Sequence, residues 1–252
     1  MLELLSVASR PVKQVWIAEG MDPSPELDRI TSLAHRAGAR LLVVPPRRLD
    51  AEARTRSHQG VIALAAPLNE TPLDDLCEPV GPKGTKRAPF VLVLDGVTDP
   101  QNVGALLRVA ECAGITGVVL GKHGSAHVTP TVAKVAAGAV EHLRISIAPG
   151  IPTAIARLTA AGVTCIGLDT GASQSIYEID FEELDAGAGV ALVLGDESRG
   201  LSSLTKRRCG ILASIPQRGS IGSLNVAAAG AVACFEIARH LRGGVSGDSP
   251  AL

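Results

Sequence analysis

Three short polar segments carry the residue types that chemistry needs. The first, Asp95-Gly-Val-Thr-Asp-Pro-Gln-Asn-Val-Gly-Ala-Leu-Leu-Arg108, follows an apolar run and leads into a helical pattern. Pro100 suits the first helical position and Asn102 falls in the first turn. Arg108 lies nearly two turns on and is expected on much the same face. The second, Leu194-Gly-Asp-Glu-Ser-Arg-Gly200, pairs a carboxylate at Glu197 with Gly195, where backbone amides could approach a ligand. The third runs Ile215-Pro-Gln-Arg-Gly-Ser-Ile-Gly-Ser-Leu-Asn225. It places Ser223 to cap the last helix, with Asn225 pointing back across the loop. Each segment sits at the C-terminal end of an expected strand, the edge where open parallel sheets bind ligands. Singly, each has a plain structural reading as a cap, a solvated face or an ordinary turn. Three together make a composite site.

Other chemistries lack their residues. No G-x-G-x-x-G follows a strand, and no G-x-S-x-G occurs. Gly81-Pro-Lys-Gly-Thr-Lys lacks the ending of a phosphate loop and precedes its strand. His123 and His127 lie four apart but close to Pro130, and read as loop histidines; no metal is expected. The five cysteines are widely spaced without a C-x-x-C pair, which suggests reduced thiols in a cytoplasmic protein.

The elements that must position these segments form an alternating pattern. An N-terminal α/β unit is expected over 1–66, with strands at Val12–Ala18, Leu41–Val44 and Gly60–Ala66. Its helices are expected from Ser24-Pro25 to Gly38 and over Leu49–Arg56. Residues 67–88, rich in Pro and Gly, read as a linker. Beyond it, strands are expected at Phe90–Leu94, Gly117–Leu120, Leu143–Ile147, Val163–Gly167, Val190–Leu194 and Ile211–Ile215. Helices are expected at Pro100–Cys112, Thr129–Ala137, Pro152–Ala160 and Ser223–Arg242. Continuous apolar strands alternating with helices imply a parallel sheet covered on both faces, over 89–244, with a frayed tail at 245–252. From Val226 to Phe235 every residue is apolar or Gly, so the last helix is expected to be buried all round, partly in a homodimer interface.

The chain has 252 residues, 46% of them hydrophobic and 19% charged, enough for a sizeable core. No apolar run reaches transmembrane length. Aromatic residues are only 2%, which argues against a surface that stacks bases on rings. The formal net charge of −1 hides a local excess: Arg29, Arg36, Arg40, Arg47, Arg48, Arg54 and Arg56 face only Asp50 and Glu52 within 29–58. A solvated face could explain such a run, but guanidinium forks match phosphate oxygens and point to nucleic acid.

The three segments resemble the signature motifs of the SpoU (TrmH-like) branch of the SPOUT RNA methyltransferases. Asp95-Gly-Val-x-Asp-Pro-x-Asn-x-Gly with Arg108, Ala110 and Gly114 is similar to the first motif. Gly195-x-Glu197-x-x-Gly200 is similar to the second, and Ile215-Pro…Ser223-Leu-Asn-Val226 to the third. Lys134-Val-Ala-Ala-Gly-Ala-Val-Glu141 resembles the family's middle segment. The N-terminal unit, with His58-Gln-Gly60, is similar to the ribosomal-protein-like substrate-binding domain of bacterial 23S rRNA guanosine 2′-O-methyltransferases.

The resemblance implies an α/β SPOUT fold with a C-terminal trefoil knot, a homodimer, and an S-adenosyl-L-methionine pocket held by the backbones of Gly195, Ile215 and Leu224. Asn102, Arg108, Glu197, Ser223 and Asn225 would surround an acceptor ribose, whose 2′-oxygen displaces the sulfonium methyl. Aligning those partners could supply on the order of 7–11 kcal/mol. A base role for Arg108 conflicts with the permanence of the guanidinium charge, so a grip on the adjacent phosphate is the preferred reading. Ribosomal RNA is expected over tRNA as partner. A tRNA methyltransferase, a non-catalytic RNA-binding protein and a small-molecule transferase remain alternatives.

Overall fold

The computed structural model describes residues 1–53, 58–81, 86–124, 127–181, 184, 188–220 and 222–241. The expected residues Arg54, Arg56 and Arg242 and the 245–252 tail lie outside them.

The N-terminal part is a three-stranded sheet, β2-β1-β3, from β1 (Val12–Ala18), β2 (Arg40–Val44) and β3 (Val61–Ala65). β1 runs parallel to β2 and antiparallel to β3. Alternation along β1 divides its side chains between two small cores. Val15 packs with Leu5, Ile30 and Ala34, from α1 (Leu2–Val7) and α2 (Pro25–Arg36). Trp16 and Ala18 pack on the opposite face with Val44 and with Leu49 of α3 (Pro46–Glu52). Ser24 caps α2 as expected, its side chain accepting from the Leu27 amide at 3.2 Å. Two expectations change. α1 was not anticipated, because six residues are too few to show a period. α3 begins at Pro46 rather than Leu49, because the second proline of Pro45-Pro46 occupies the first helical turn instead of merely ending β2.

The larger sheet has seven strands: β4 (Phe90–Asp95), β5 (Gly117–Gly121), β6 (Ile145–Ala148), β7 (Thr164–Leu168), β8 (Gln174–Ser175), β9 (Val190–Gly195) and β10 (Ile211–Ser214). They lie in the order β6-β5-β4-β9-β7-β10-β8, and every pairing is parallel. Such a sheet must be covered on both sides. One face carries α4 (Pro100–Ala113), α5 (Pro130–Val135) and α8 (Val226–Leu241); the other carries α6 (Ile151–Ala160) and α7 (Ser203–Arg208). The short β8 and α7 were not anticipated. Close packing around α4 has a simple cause. A side chain at Gly104 would strike Val135, and one at Gly230 would strike Leu106 and Leu194.

α8 starts at Val226, three residues later than expected. Within this chain it is buried on one side only. Val226, Gly230, Ala233, Cys234 and Ile237 face the core, whereas Ala228, Val232 and Phe235 are exposed.

Part of the expected linker is packed onto the larger sheet. The Thr71 amide donates to the Ile145 carbonyl at 2.8 Å, Leu73 and Leu76 are buried, and Arg144 donates to the carbonyls of Thr116 and Asp75. The N-terminal unit is tied down as well. The Arg10 guanidinium donates to both carboxylate oxygens of Glu141, at 3.1 and 2.6 Å, and to the Ala66 carbonyl at 2.7 Å. Ser9 donates to the same carboxylate, and His142 meets Glu3 at 2.8 Å.

Candidate active site

β4 and β9 are adjacent, with Asp95 opposite Gly195, so the first two polar segments leave the sheet side by side. Asp99 caps α4 by accepting from the amides of Gln101 and Asn102. That fixes Asn102 in the first turn, where its side chain is buried. The second segment folds back tightly. Asp196 accepts from the amides of Ser198 and Arg199, and the Gly200 amide returns to the Asp196 carbonyl at 2.8 Å. A Cβ at Gly195 would lie 2.2 to 2.5 Å from backbone atoms of Gly200 and Leu201. The glycine is therefore demanded by its own turn, not only by room for a ligand. Asp95 anchors the far end of that turn by accepting from the Ser202 amide at 3.1 Å.

The three segments meet in one hydrogen-bonded triangle. The Asn102 amide donates to Glu197 at 3.1 Å. The Asn225 amide donates to the Asn102 carbonyl oxygen at 2.9 Å and to the other Glu197 oxygen at 2.5 Å. Asn225 also turns its own oxygen to the amides of Ala227 and Ala228, at 2.9 and 3.3 Å. It is thus the cap of α8. Ser223, expected in that role, is exposed and makes no side-chain hydrogen bond among the described residues. The chain needs one more turn of loop before Asn225 can reach both the helix amides and Glu197.

Arg108 does not join the triangle. Six residues at about 100° each leave it roughly 120° round the helix from Asn102 and about 9 Å along the axis. It is exposed on the outer surface of α4, with Asn102 facing inward. The third segment is otherwise open. Ile215 follows β10, half-buried against the core, its carbonyl accepting from Gln217 at 3.1 Å, and Leu224 is exposed. Backbone groups of 216–220 and 222–224 make no hydrogen bond among the described residues. They leave main-chain donors and acceptors in this segment open to a polar ligand.

Of the arginine run, Arg29 and Arg36 lie on α2, Arg40 starts β2, and Arg47 and Arg48 lie on α3 across the sheet, all exposed. Arg48 also covers the Trp16 ring at 5.1 Å. Sequence reasoning placed Glu141 in the middle segment but missed Arg10 and the pairing between them, which spans 131 positions and leaves no local signal. No described helix is long and apolar enough to cross a membrane.

Comparison with known proteins shows the family. Residues 89–235 match the SpoU rRNA methylase family, and residues 2–71 match the RNA 2′-O ribose methyltransferase substrate-binding family. The 23S rRNA (guanosine-2′-O-)-methyltransferase RlmB of Pseudomonas putida is 36% identical over 241 residues, 94% of this chain and 92% of that protein. Its namesake from Ralstonia nicotianae is 41% identical over 208 residues, 82% and 80% of the two chains. An rRNA methyltransferase from Sinorhizobium meliloti, solved with AdoMet bound, superposes with a TM-score of 0.76 at 25% identity. The match covers 96% of this chain and 85% of that one.

Proposed function

This chain belongs to the SpoU rRNA methylase family, and on that premise we propose that it methylates the ribose 2′-hydroxyl of a guanosine in 23S rRNA. The observation that carries this reading is the Asn102–Glu197–Asn225 triangle, which ties three strand-end turns into one site. The RlmB relatives, which align over nearly the whole chain, support ribosomal RNA over tRNA.

S-adenosyl-L-methionine supplies a methyl group already activated on a sulfonium centre. What remains for the protein is to bind, to orient and to manage charge. The backbones at Gly195, Ile215 and Leu224 are the proposed cofactor contacts, supported by the tight 195–201 turn and the unpaired main chain after Ile215. Asn102, Glu197 and Asn225 hold one another, so little side-chain reorganisation is needed when a ribose is positioned against them. Ser223 is exposed next to them, free to meet the sugar. Arg108, solvent-facing on α4 and turned away from these three residues, would grip a neighbouring phosphate of the RNA from outside the triangle and so help to hold the reacting ribose in place.

The larger sheet is proposed to carry the family's trefoil knot. The placement of β9, late in sequence yet central in the sheet, supports a chain that returns through its own loops. A homodimer is supported by the exposed apolar stripe Ala228, Val232 and Phe235 on α8. Five free thiols fit a cytoplasmic setting. Residues 1–66 would be the RNA-binding domain, 67–88 its connection and 89–244 the methyltransferase domain.

The test is transfer of tritium from labelled S-adenosylmethionine to ribosomal RNA of a deletion strain, with 2′-O-methyl sites mapped before and after complementation. One guanosine in 23S rRNA should regain its methyl group. Methylation restored only in tRNA, or nowhere, would overturn the reading. Arg108→Lys should lose most of the rate without losing cofactor affinity.

A further inference from the structure

The arginines of α2 and those of α3 cannot act as one patch, because the three-stranded sheet lies between them. We propose that the RNA backbone is held in the groove between α1 and α2, with Arg29 and Arg36 as its phosphate contacts. The proposal rests on the functional reading above and assigns the substrate a track on the N-terminal unit.

The groove has a volume of about 560 Å³ and is lined by Leu5, Ser6, Arg29, Ser32, Leu33 and Arg36 among others. Arg29 and Arg36 are seven residues apart, two helical turns, so both point from one side of α2, about 10 Å apart along its axis. Neither makes an ion pair or side-chain hydrogen bond among the described residues. Among the described residues no carboxylate lines the groove. Two unpaired guanidinium forks, with the hydroxyls of Ser6 and Ser32 able to donate beside them, suit phosphate oxygens. The floor is aliphatic (Leu5, Leu33), which can lie against sugar but cannot stack a base. The groove should therefore hold backbone without reading sequence. The other face is less suited. α3 carries Asp50 and Glu52 beside Arg47 and Arg48, with Asp50 bonded to His58 at 2.7 Å and Arg48 resting on Trp16.

Position completes the case. One wall of the groove, α1, is among the parts of the N-terminal unit that touch the larger sheet's unit. Glu3 meets His142, and a Cβ at Gly138 would lie 2.6 Å from the Glu3 side chain. RNA held there is held in fixed register with the catalytic sheet.

The experiment uses the full chain and ribosomal RNA from a deletion strain, with affinity measured across salt concentrations. Arg29→Ala/Arg36→Ala should weaken binding at least tenfold and reduce the log–log salt slope by about 1.4 to 1.8, the share of two phosphates. It should raise the KM for RNA with kcat and S-adenosylmethionine affinity near wild type. Arg29→Lys/Arg36→Lys should recover most of the affinity. Arg47→Ala/Arg48→Ala removes the same charge from the opposite face and should lose no more than about threefold. An Arg29/Arg36 variant with wild-type affinity and slope, or a loss carried mainly by Arg47 and Arg48, overturns the groove while leaving the methyltransferase reading intact. A wild-type chain that neither binds nor methylates RNA overturns both.

Discussion

Arg10 and Glu141 form a bidentate pair at 3.1 and 2.6 Å, with only 3% of the Glu141 side chain and 16% of the Arg10 side chain exposed. The third Arg10 contact, to Ala66, reaches the residue that leaves β3, so one guanidinium ties the entrance and exit of the N-terminal unit to the segment before β6. A buried pair is worth little over an apolar substitute, but removing one partner strands the other. Glu141→Ala should cost about 3–5 kcal/mol in urea unfolding of the full chain. Arg10→Met combined with Glu141→Leu should cost less than either single change. A double variant as damaged as the sum of the singles would show that the pair is not coupled.

Asn225 serves the helix with its oxygen and the site with its nitrogen, and the two roles can be separated. Asn225→Ala loses both, with about 1 kcal/mol of capping stability. Asn225→Asp keeps the acceptor for Ala227 and Ala228 but sets an oxygen against Glu197. Both variants should lose methyl transfer on the order of 100-fold, the cost of a slightly misplaced site. Only the alanine variant should lose the capping stability as well. An active aspartate variant would remove Asn225 from the chemistry.

Gly195→Ala forces a methyl group into the backbone of Gly200 and Leu201. The turn must open, at a cost of about 1–3 kcal/mol, and Glu197 moves with it. Calorimetry should show S-adenosylmethionine affinity reduced more than tenfold. Unchanged affinity would separate this turn from the cofactor.

Burial pushes the thiol of Cys165 up to about 11 and that of Cys234 to about 12. The folded chain thus keeps protons that the unfolded chain sheds above its ordinary value near 8.5. Stability is unaffected below that value and should fall as pH rises from about 8.5 towards 11–12, by at most about 1.4 kcal/mol per pH unit and thiol. Urea midpoints between pH 8 and 10 read the slope, which Cys234→Ala should flatten. Alkylation at pH 8 should reach the exposed Cys112 well before Cys234.

Phe235→Asp should turn a dimer into a monomer in sedimentation velocity, because it charges the largest side chain of the open stripe on α8. A dimer that survives would place the interface elsewhere.

What could be read from sequence was local. The runs Phe90–Leu94 and Val190–Leu194 announce buried strands because each is apolar at every position. Ser24-Pro25, Asp99-Pro100 and Thr129-Pro130 mark helix starts because a cap and its proline act within four residues. The misses have the opposite character. α1 is held by its packing on α2, not by its own period. Ser223 and Asn225 are both good caps, and the choice falls to Asn225 through Asn102 and Glu197, which lie 123 and 28 positions away. Strand order was beyond pattern, since apolar runs do not name their neighbours. The motifs named Asn102, Glu197 and Asn225, which the fold brings together; Arg108 faces away from these three, as its six-residue spacing from Asn102 on a helix already dictates.

The clasp at Glu141 also limits how this architecture can be rebuilt. A chimera that exchanges the front module for a different RNA reader, cut anywhere between Arg10 and Ala66, would inherit a sunken anion with no cation and a glycine saddle at Gly138 shaped for Glu3. Successful grafts should therefore carry an arginine at the join, or neutralise the glutamate in the recipient first.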